Sequence, residues 1–172
     1  DDTFGTDLID VSLIVNAGEI LGIAGISGNG QAELMAALSG EDTVEKHAIH
    51  LDGVPIGHLN AGQRRSKGLV FVPEERLGRG AVPAFSLSHN ALLTAHRKGM
   101  KYWGLVRYSK AREFAEKCVA RFDVRCGGHA DDARSLSGGN LQKFIVGREI
   151  MLKPKLMIVA QPTWGVDVGA SA

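Results

Sequence analysis

The sequence predicts an α/β fold with a mainly helical insertion, and three observations support this prediction. A strand, a glycine-rich turn and a helix follow one another between residues 19 and 38. Two apolar runs, residues 69–72 and 155–159, have the length of buried strands. Residues 110–122 form an amphipathic helix between these two strands in the chain. Strands that alternate with helices are typical of α/β domains.

Composition and charge are those of an ordinary globular protein. The 172 residues suffice for one domain with a hydrophobic core and a small second lobe. Hydrophobic residues make up 44% and charged residues 23%, and a net charge of +1 favours neither nucleic acid nor an anionic lipid surface as a partner. No apolar run reaches the roughly 18 residues of a membrane-spanning helix, and no signal peptide is recognised.

Glycine and cysteine are the two informative residue types. The chain has 22 glycines, whereas an average usage of about 7% would give about 12. Such an excess indicates tight turns and close approach of the backbone to a ligand. The two cysteines, Cys118 and Cys126, fit neither a metal-binding pattern nor a disulfide framework, so we expect free thiols in a reducing cytosol.

Two strands and a helix are predicted at the start of the chain. Residues 9–15 and 19–24 are rich in aliphatic residues and flank a turn at residues 16–18. The second strand runs directly into a glycine loop. Residues 31–38 follow as a helix that ends at Gly40. The apolar face of this helix holds Leu34, Met35 and Leu38.

The middle of the chain begins with two more strands. Residues 47–51 form a short strand closed by the hairpin signal Asp52-Gly53. The strand at residues 69–72 ends at Pro73. Residues 76–134 then change in character, because glycines and a proline interrupt the first part.

Helices dominate the rest of that segment and the stretch that follows it. The helix at residues 110–122 has an apolar face at helical spacing. That face holds Ala111, Phe114, Ala115, Cys118, Val119 and Phe122. Another helix is predicted at residues 140–152, and the strand at residues 155–159 ends at Ala160-Gln161-Pro162.

The sequence GISGNGQAEL, residues 25–34, has the glycine spacing of a phosphate-binding loop. That pattern places Lys and then Ser or Thr after the last glycine, but Gln31 and Ala32 stand there. The loop backbone can still wrap a phosphate at the start of a helix. The missing lysine removes a charged partner worth roughly 1.5–3 kcal/mol, and the missing hydroxyl removes a Mg²⁺ ligand. A glycine turn without any ligand is the alternative.

A second candidate anion cradle lies at Ser137-Gly138-Gly139, where a helix begins. A hydroxyl and two unobstructed backbone N–H groups at a helix N-terminus can bind an anion. The alternative is a plain N-cap followed by a glycine turn. A third stretch, residues 155–167, leads from an apolar strand into Ala160-Gln161. ATPases carry Asp and Glu at the end of such a strand, and both carboxylates are absent here.

The order and spacing of these stretches resemble the nucleotide-binding domain of ATP-binding cassette (ABC) transporters. The glycine loop matches the Walker A position, and Glu74 takes the place of the Q-loop glutamine. The matches further on are Leu136–Asn140 with the signature motif, Leu156–Thr163 with Walker B and Trp164–Asp167 with the D-loop. The resemblance implies a P-loop NTPase, an ABC cassette with a RecA-like core at residues 1–75 and 138–172, incomplete at both ends. Residues 76–137 would be the inserted helical subdomain, which ends at the signature motif.

A finer resemblance is to the second cassette of tandem importers for simple sugars and nucleosides. The stretches GEILGIAG, VPEERLGRG, LSGGN and AQPT carry it, and AQPT points to the nucleoside-importer branch. In that branch a second cassette without the catalytic Lys, Asp and Glu is normal. The resemblance therefore implies a transport ATPase family member that is hydrolytically inactive on its own, and a chain cut from a longer tandem protein.

The resemblance assigns roles to particular residues. The nucleotide-binding positions are Gly25, Ser27, Gly28, Asn29, Gly30, Gln31 and Ala32. The signature positions are Ser137, Gly138, Gly139 and Asn140, with Glu74 in the Q-loop and Asp167 in the D-loop. No catalytic carboxylate and no metal ligand is assigned, because Ala160 and Gln161 fill the Walker B positions.

The resemblance also implies partners and a location. ATP would bind weakly at the chain's own loop and be shared at the site of a second cassette, which would hold most of the Mg²⁺. That cassette would belong to the same full-length chain, and transmembrane permease subunits would complete the complex at the cytoplasmic face of the membrane. Neither nucleic acid nor the transported solute would touch this chain.

Several alternatives and minor expectations stay open. An active P-loop enzyme such as a kinase, a ribose- or galactose-type importer cassette with residual ATP binding, and a scaffold that binds no nucleotide are the rival functions. Phe4 lies near the position of an adenine-stacking aromatic residue. Tyr102 and Trp103 are expected to pack within the helical segment, and a solvated loop is the alternative for Glu75, Arg76 and Arg79.

Overall fold

The computed structural model describes residues 7–26 and 28–161. The chain divides into two compact units, one that extends to Lys67 and one that begins at Gly68. Both helices and a parallel strand pair are present, so the α/β prediction is confirmed. No helix in the described part of the chain is long and apolar enough to span a membrane.

The strands predicted at residues 9–15 and 19–24 are absent, so this prediction is wrong. The turn between them is correct, because the Glu19 N–H donates to the Asn16 carbonyl at 3.0 Å and Gly18 has a φ of 81°. A strand requires a neighbouring ladder for its backbone groups, and the described residues supply none here. The apolar side chains of this segment are exposed, Ile20 to 97%.

The first unit contains α1 (Gln31–Ser39), β1 (His50–Leu51), β2 (Val54–Pro55) and α2 (Ala61–Lys67). Helix α1 begins and ends as predicted, with Gly40 in the left-handed conformation at φ 85°. Its expected apolar face is only half-buried. Strand β1 is shorter than the predicted 47–51, and helix α2 was not predicted. The Asp52-Gly53 hairpin is confirmed, since both residues have positive φ, as a tight two-residue turn requires.

A buried arginine holds the first unit together. The Arg64 guanidinium is fully buried and donates to five backbone carbonyls. The acceptors are the carbonyls of Ala37, Leu38, Ile56, Gly57 and Leu59. Burial lowers the pKa of Arg64, but the group stays charged at neutral pH. It therefore joins the end of α1 to the segment between β2 and α2.

The second unit is built around β3 (Leu69–Val72) and β6 (Leu156–Val159), which pair in parallel from Leu69↔Leu156 to Val72↔Val159. Both strands lie where the sequence predicts them. Helix α5 (Gly138–Ile150) packs on this pair through Leu141 and Ile145, which share a buried cluster with Val72. The predicted helix at residues 140–152 is thus confirmed and begins two residues earlier.

Helices α3 (Leu87–Ala95) and α4 (Tyr108–Arg121) lie within the segment that the sequence predicts as mainly helical, and both pack against α5. Their core contains Leu87, Ala91, Ala115, Cys118 and Phe144. Between α3 and α4 lies an antiparallel hairpin of β4 (Lys101–Tyr102) and β5 (Leu105–Val106). The expected packing of Tyr102 and Trp103 is wrong, because these hairpin side chains are 64% and 88% exposed.

Both cysteines are free thiols, as predicted. Burial raises the pKa of Cys118 to about 12. A thiol that stays protonated is a poor nucleophile, so Cys118 acts as a small core residue. The division of the chain into residues 1–75 with 138–172 and residues 76–137 stays a prediction.

Candidate functional site

The glycine loop has the backbone geometry that its sequence requires. Gly28 and Gly30 have φ values of 86° and 88°, a left-handed conformation that side chains other than glycine rarely adopt. The Leu34 N–H donates to the Gly30 carbonyl at 2.9 Å, which begins helix α1 directly after the loop. The predicted positions Gly25 to Gly30 therefore precede the helix, and Gln31 and Ala32 are its first residues, with Ser27 outside the described residues.

Gln31 fills the interior of this loop with its own side chain. The Gln31 Nε2 donates to the Ile26 carbonyl at 3.0 Å, and the Asn29 N–H donates to Gln31 Oε1 at 3.2 Å. A Cβ placed on Gly25 would meet Gln31 Nε2, so the Gln31 amide lies close against the Gly25 backbone. One of the N–H groups that a phosphate would use is thus bound to the chain itself.

The charges around the loop do not favour a phosphate. Ala32 is exposed and offers only a methyl group, while Glu33 lies in the first turn of α1. A carboxylate at a helix N-terminus interacts favourably with the helix dipole and opposes a second anion there. Residues 25–33 contain no Lys or Arg, so the loop segment itself supplies backbone donors but no cation.

The turn at the start of α5, residues 137–140, is predicted to be the signature motif, and we call it the signature turn. Its hydrogen bonds differ from those of the glycine loop. Ser137 is the N-cap, and its Oγ accepts from the Asn140 N–H at 3.4 Å and from Asn140 Nδ2 at 2.9 Å. Asn140 Oδ1 in turn accepts from the Arg125 N–H at 2.8 Å. The N–H groups of Gly138 and Gly139 belong to the first helical turn, where no intrahelical acceptor exists. Ser137 and Gly138 are exposed, so this end of the helix can receive an anion.

A buried charge network fastens α5 beyond this turn. Arg148 donates to the Gly80 carbonyl at 2.9 Å, to the Asn90 carbonyl at 3.0 Å and to Glu149 Oε1 at 3.0 Å. Both charged side chains are buried. The Asn90 side chain also bonds to the backbone of Val82 and Phe85.

These supporting residues were not identified from the sequence. The signal was available, because Arg148 continues the spacing of Leu141, Phe144 and Ile145 along the buried stripe of α5. A charged residue at a stripe position is buried only when it is paired.

The ends of β3 and β6 form a sheet edge that brings Glu74 and Ala160 to the same side. Val72 pairs with Val159, and the Ala160 N–H donates to the Val72 carbonyl at 2.9 Å. Glu74 and Gln161 are exposed beyond this pair. The predicted Walker B positions Ala160 and Gln161 thus follow β6 directly, and they carry a methyl group and a neutral amide.

The described residues do not fit a Mg²⁺ site at either place. Mg²⁺ requires oxygen ligands, and Ala32 and Ala160 provide none. Within residues 7–26 and 28–161, no group of three His, Cys, Asp or Glu side chains is arranged to hold a metal ion. The predicted positions Phe4, Thr163 and Asp167 lie outside the described residues.

The parallel strand pair, the glycine loop before α1 and the serine-capped turn before α5 are the parts of a P-loop NTPase domain. Residues 8–164 match the family model described as ABC transporter, and the chain belongs to this family. The fold agrees with a solved structure, the dimeric post-hydrolysis state of the ATP-binding cassette MJ0796 bound to ADP and Pi. The TM-score is 0.73 at 21% identity, over 92% of this chain and 67% of that chain.

Curated relatives are considerably longer than this chain. The guanosine import ATP-binding protein NupO of Bacillus subtilis is 40% identical over 171 residues, which is 98% of this chain and 34% of that protein. The glucose import ATP-binding protein TsgD13 of Haloferax volcanii is 42% identical over 166 residues, which is 95% of this chain and 30% of that protein. The chain thus spans about a third of the length of these relatives.

Proposed function

We propose that this chain is a degenerate cassette in the ATP-binding subunit of an importer for nucleosides. It donates its signature turn to the ATP site of a second cassette and does not hydrolyse ATP at its own loop. One observation carries this proposal: the Ser137 turn is complete and exposed, whereas Gln31 occupies the glycine loop.

The glycine loop binds ATP weakly in this proposal. A phosphate must displace Gln31 Oε1 from the Asn29 N–H before it can use that donor. It then lacks the lysine charge, and Ala32 and Ala160 leave Mg²⁺ without oxygen ligands. The Walker B end of β6 also lacks a carboxylate to polarise water, so no hydrolysis follows.

The signature turn acts at the other site. The Ser137 hydroxyl, the N–H groups of Gly138 and Gly139 and the positive end of the α5 dipole all lie at the start of α5, where Ser137 and Gly138 are exposed. Groups of this kind stabilise the charge that develops on a transferred γ-phosphoryl group. The second cassette supplies the Walker motifs and most of the Mg²⁺, so each pair of cassettes has one productive site. That cassette belongs to the same full-length chain.

The other proposed partners follow from the proposed division of the chain into a core and a helical subdomain. Residues 76–137 form a helical subdomain that contacts a transmembrane permease at the cytoplasmic face of the membrane. Glu74 lies where β3 ends, between the sheet edge and this subdomain, and links it to the nucleotide state. The solute contacts the permease and not this chain.

Nucleosides are the proposed solutes because Ala160 and Gln161 replace the usual carboxylates in the manner of the nucleoside-importer branch. The 40% identity to a guanosine import protein agrees with this choice. A sugar importer cassette with residual ATP binding is the second candidate, favoured by the 42% identity to a glucose import protein. Uptake of radiolabelled guanosine and glucose by cells that express the complete complex distinguishes the two.

The test of the donor role is Ser137→Arg in the complete transport complex. An arginine side chain fills the exposed start of α5, and loss of a donor at a developing charge lowers turnover about a hundredfold or more. Ser66→Arg, on the exposed face of α2, is the matched control and leaves turnover near the wild-type value. Unchanged transport by Ser137→Arg contradicts the donor role and supports a scaffold.

The test of the degenerate loop is calorimetry of ATP binding to this chain, with and without Mg²⁺. Weak binding that Mg²⁺ does not change is expected, because the described loop has no metal ligand. Micromolar binding that Mg²⁺ strengthens contradicts the proposal of one productive site. Measurable ATP turnover by the chain alone supports an active enzyme instead.

A further inference from the structure

The β4–β5 hairpin presents apolar and aromatic side chains to solvent. Tyr102, Trp103 and Leu105 are 64%, 88% and 73% exposed. Trp103 and Gly104 form the two-residue turn, with φ values of 50° and 80°. A positive φ is uncommon for a bulky residue, and apolar side chains that stay exposed contribute no burial energy to folding. The ring centroids of Tyr102 and Trp103 lie 6.3 Å apart, and neither side chain is buried in the core of the described residues.

The base of the hairpin is firmly attached. Met100 is buried and packs with Ala95 of α3 and Ala111 of α4. The Arg107 N–H donates to the Met100 carbonyl at 2.8 Å, which extends the ladder of β4 and β5 by one bond. The exposed tip of the hairpin is therefore attached to α3 and α4 through the buried Met100.

The charge around the hairpin is strongly segregated. Residues 76–112 contain eight Lys and Arg and no Asp or Glu, and two of the eight, Lys110 and Arg112, pair with Glu113 and Glu116 further along α4. The rest of the chain has 12 Lys and Arg against 19 Asp and Glu, a formal charge of −7. Around the tip, Arg97, Lys98, Lys101 and Arg107 are exposed, and none of them forms an ion pair with the described residues. The charges of residues 76–112 and of the rest of the chain nearly cancel in the net charge of +1.

We infer that the β4–β5 hairpin docks on an anionic phospholipid bilayer surface. Trp and Tyr favour the interface between headgroups and acyl chains, where the ring is buried and its polar edge stays hydrated. Each Lys or Arg near an anionic leaflet contributes attraction, while its aliphatic stem lies along the apolar region.

The residue types at the tip favour lipid as the occupant. Exposed Tyr102 and Trp103 stand beside exposed Lys98 and Lys101, and this combination of aromatic and basic side chains suits the interface of an anionic bilayer. The inference goes beyond the proposed function and does not depend on it, because it invokes neither nucleotide nor the second cassette. An acidic protein surface is the competing occupant.

Vesicle cosedimentation tests the inference. The chain is mixed with vesicles of phosphatidylcholine alone, or of phosphatidylcholine and phosphatidylglycerol in equal amounts. Binding is expected only with phosphatidylglycerol, and it should weaken as salt is raised. In a Trp164→Phe variant Trp103 is the sole tryptophan, and its emission should shift to shorter wavelength on binding.

Two variants separate the contributions of charge and insertion. Lys98→Glu with Lys101→Glu should weaken binding about 30-fold or more, from about 1 kcal/mol per residue near the surface. Lys46→Glu with Lys67→Glu, exposed lysines of the first unit, changes the net charge equally and should have little effect. Trp103→Asn should weaken binding about tenfold. Since Asn-Gly is a preferred turn of this type, the hairpin itself should remain folded.

Several results would overturn the inference. They are absence of binding to either vesicle, equal binding to both, an unshifted Trp103 emission, or equal losses in the two double variants. Absence of vesicle binding together with ATP binding and donor activity as proposed would leave the proposed function intact and assign the tip to an acidic protein surface.

Discussion

Helices α1 and α5 both begin at glycine-rich turns, but the two turns are built in opposite ways. At α1, Gly30 has a φ of 88° and caps the helix without a side-chain bond, and Gln31 folds back onto the loop. At α5, Ser137 caps the helix with its hydroxyl, and Asn140 is anchored to the Arg125 N–H outside the helix. Glycine spacing alone therefore does not identify an anion site. The flanking side chains decide whether the N–H groups remain available.

The largest expected loss of stability comes from the buried charge network around Arg148 in α5. Arg148→Met keeps a long apolar side chain but removes a buried charged donor to Glu149 and to two backbone carbonyls. Removal of one member of a buried charge pair costs about 3–5 kcal/mol. The free energy of unfolding, measured with urea and circular dichroism, should fall by this amount.

The matched control for Arg148 is Arg134→Met. Arg134 pairs with Asp132, but its side chain is 64% exposed, so the loss should stay below about 1 kcal/mol. Equal losses in the two variants would mean that the buried network does not fasten α5. The start of α5 would then not differ from the start of α1 in being supported by a buried charge network.

The second effect concerns the loop before α1. Gln31→Lys removes the amide that occupies the Asn29 N–H and adds a cation, so ATP affinity should rise roughly ten- to a hundredfold. Calorimetry of the isolated chain measures it. Gln31→Ala is the control, because it releases the same N–H without adding charge and should give a smaller rise.

Equal affinities in both Gln31 variants and the wild type would contradict the closed-loop interpretation. Equal gains in both would show that the occupied N–H, and not the missing charge, limits binding. In either case, the difference in hydrogen bonding between the starts of α1 and α5 would not by itself explain how well each start binds a phosphate.

Elements with local signals could be predicted from the sequence. Asp52-Gly53 requires a tight turn, Gly40 ends α1, and the apolar spacing of residues 110–122 identifies α4. The apolar runs of β3 and β6 are correct for the same reason. In each case the residues that determine the structure are close together in the chain.

Features that depend on distant contacts could not be predicted. Arg148 bonds to carbonyls 58 and 68 residues away, and no local pattern reports those acceptors. Residues 9–15 have strand composition but no ladder in the described structure, because a strand is decided by its neighbour. The closed state of the glycine loop depends on which way the Gln31 side chain turns, which composition does not determine.

The smallest effect is expected at the cap of α5. Ser137→Ala removes the Oγ that accepts from the Asn140 backbone and side chain, and loss of such a cap costs about 1 kcal/mol. Ser86→Ala is a matched control, since Ser86 caps α3 and accepts from the His89 N–H at 3.2 Å. Urea unfolding of the two variants compares a cap at the candidate site with a cap outside it.

If Ser137→Ala loses clearly less stability than Ser86→Ala, the 3.4 Å bond at Ser137 contributes little to folding. The hydroxyl would then be held at the helix start mainly by Asn140 Nδ2, in a position suited to an external anion. A loss larger than about 2 kcal/mol would instead make Ser137 chiefly a structural cap, and the difference between the two glycine-rich turns would be one of stability.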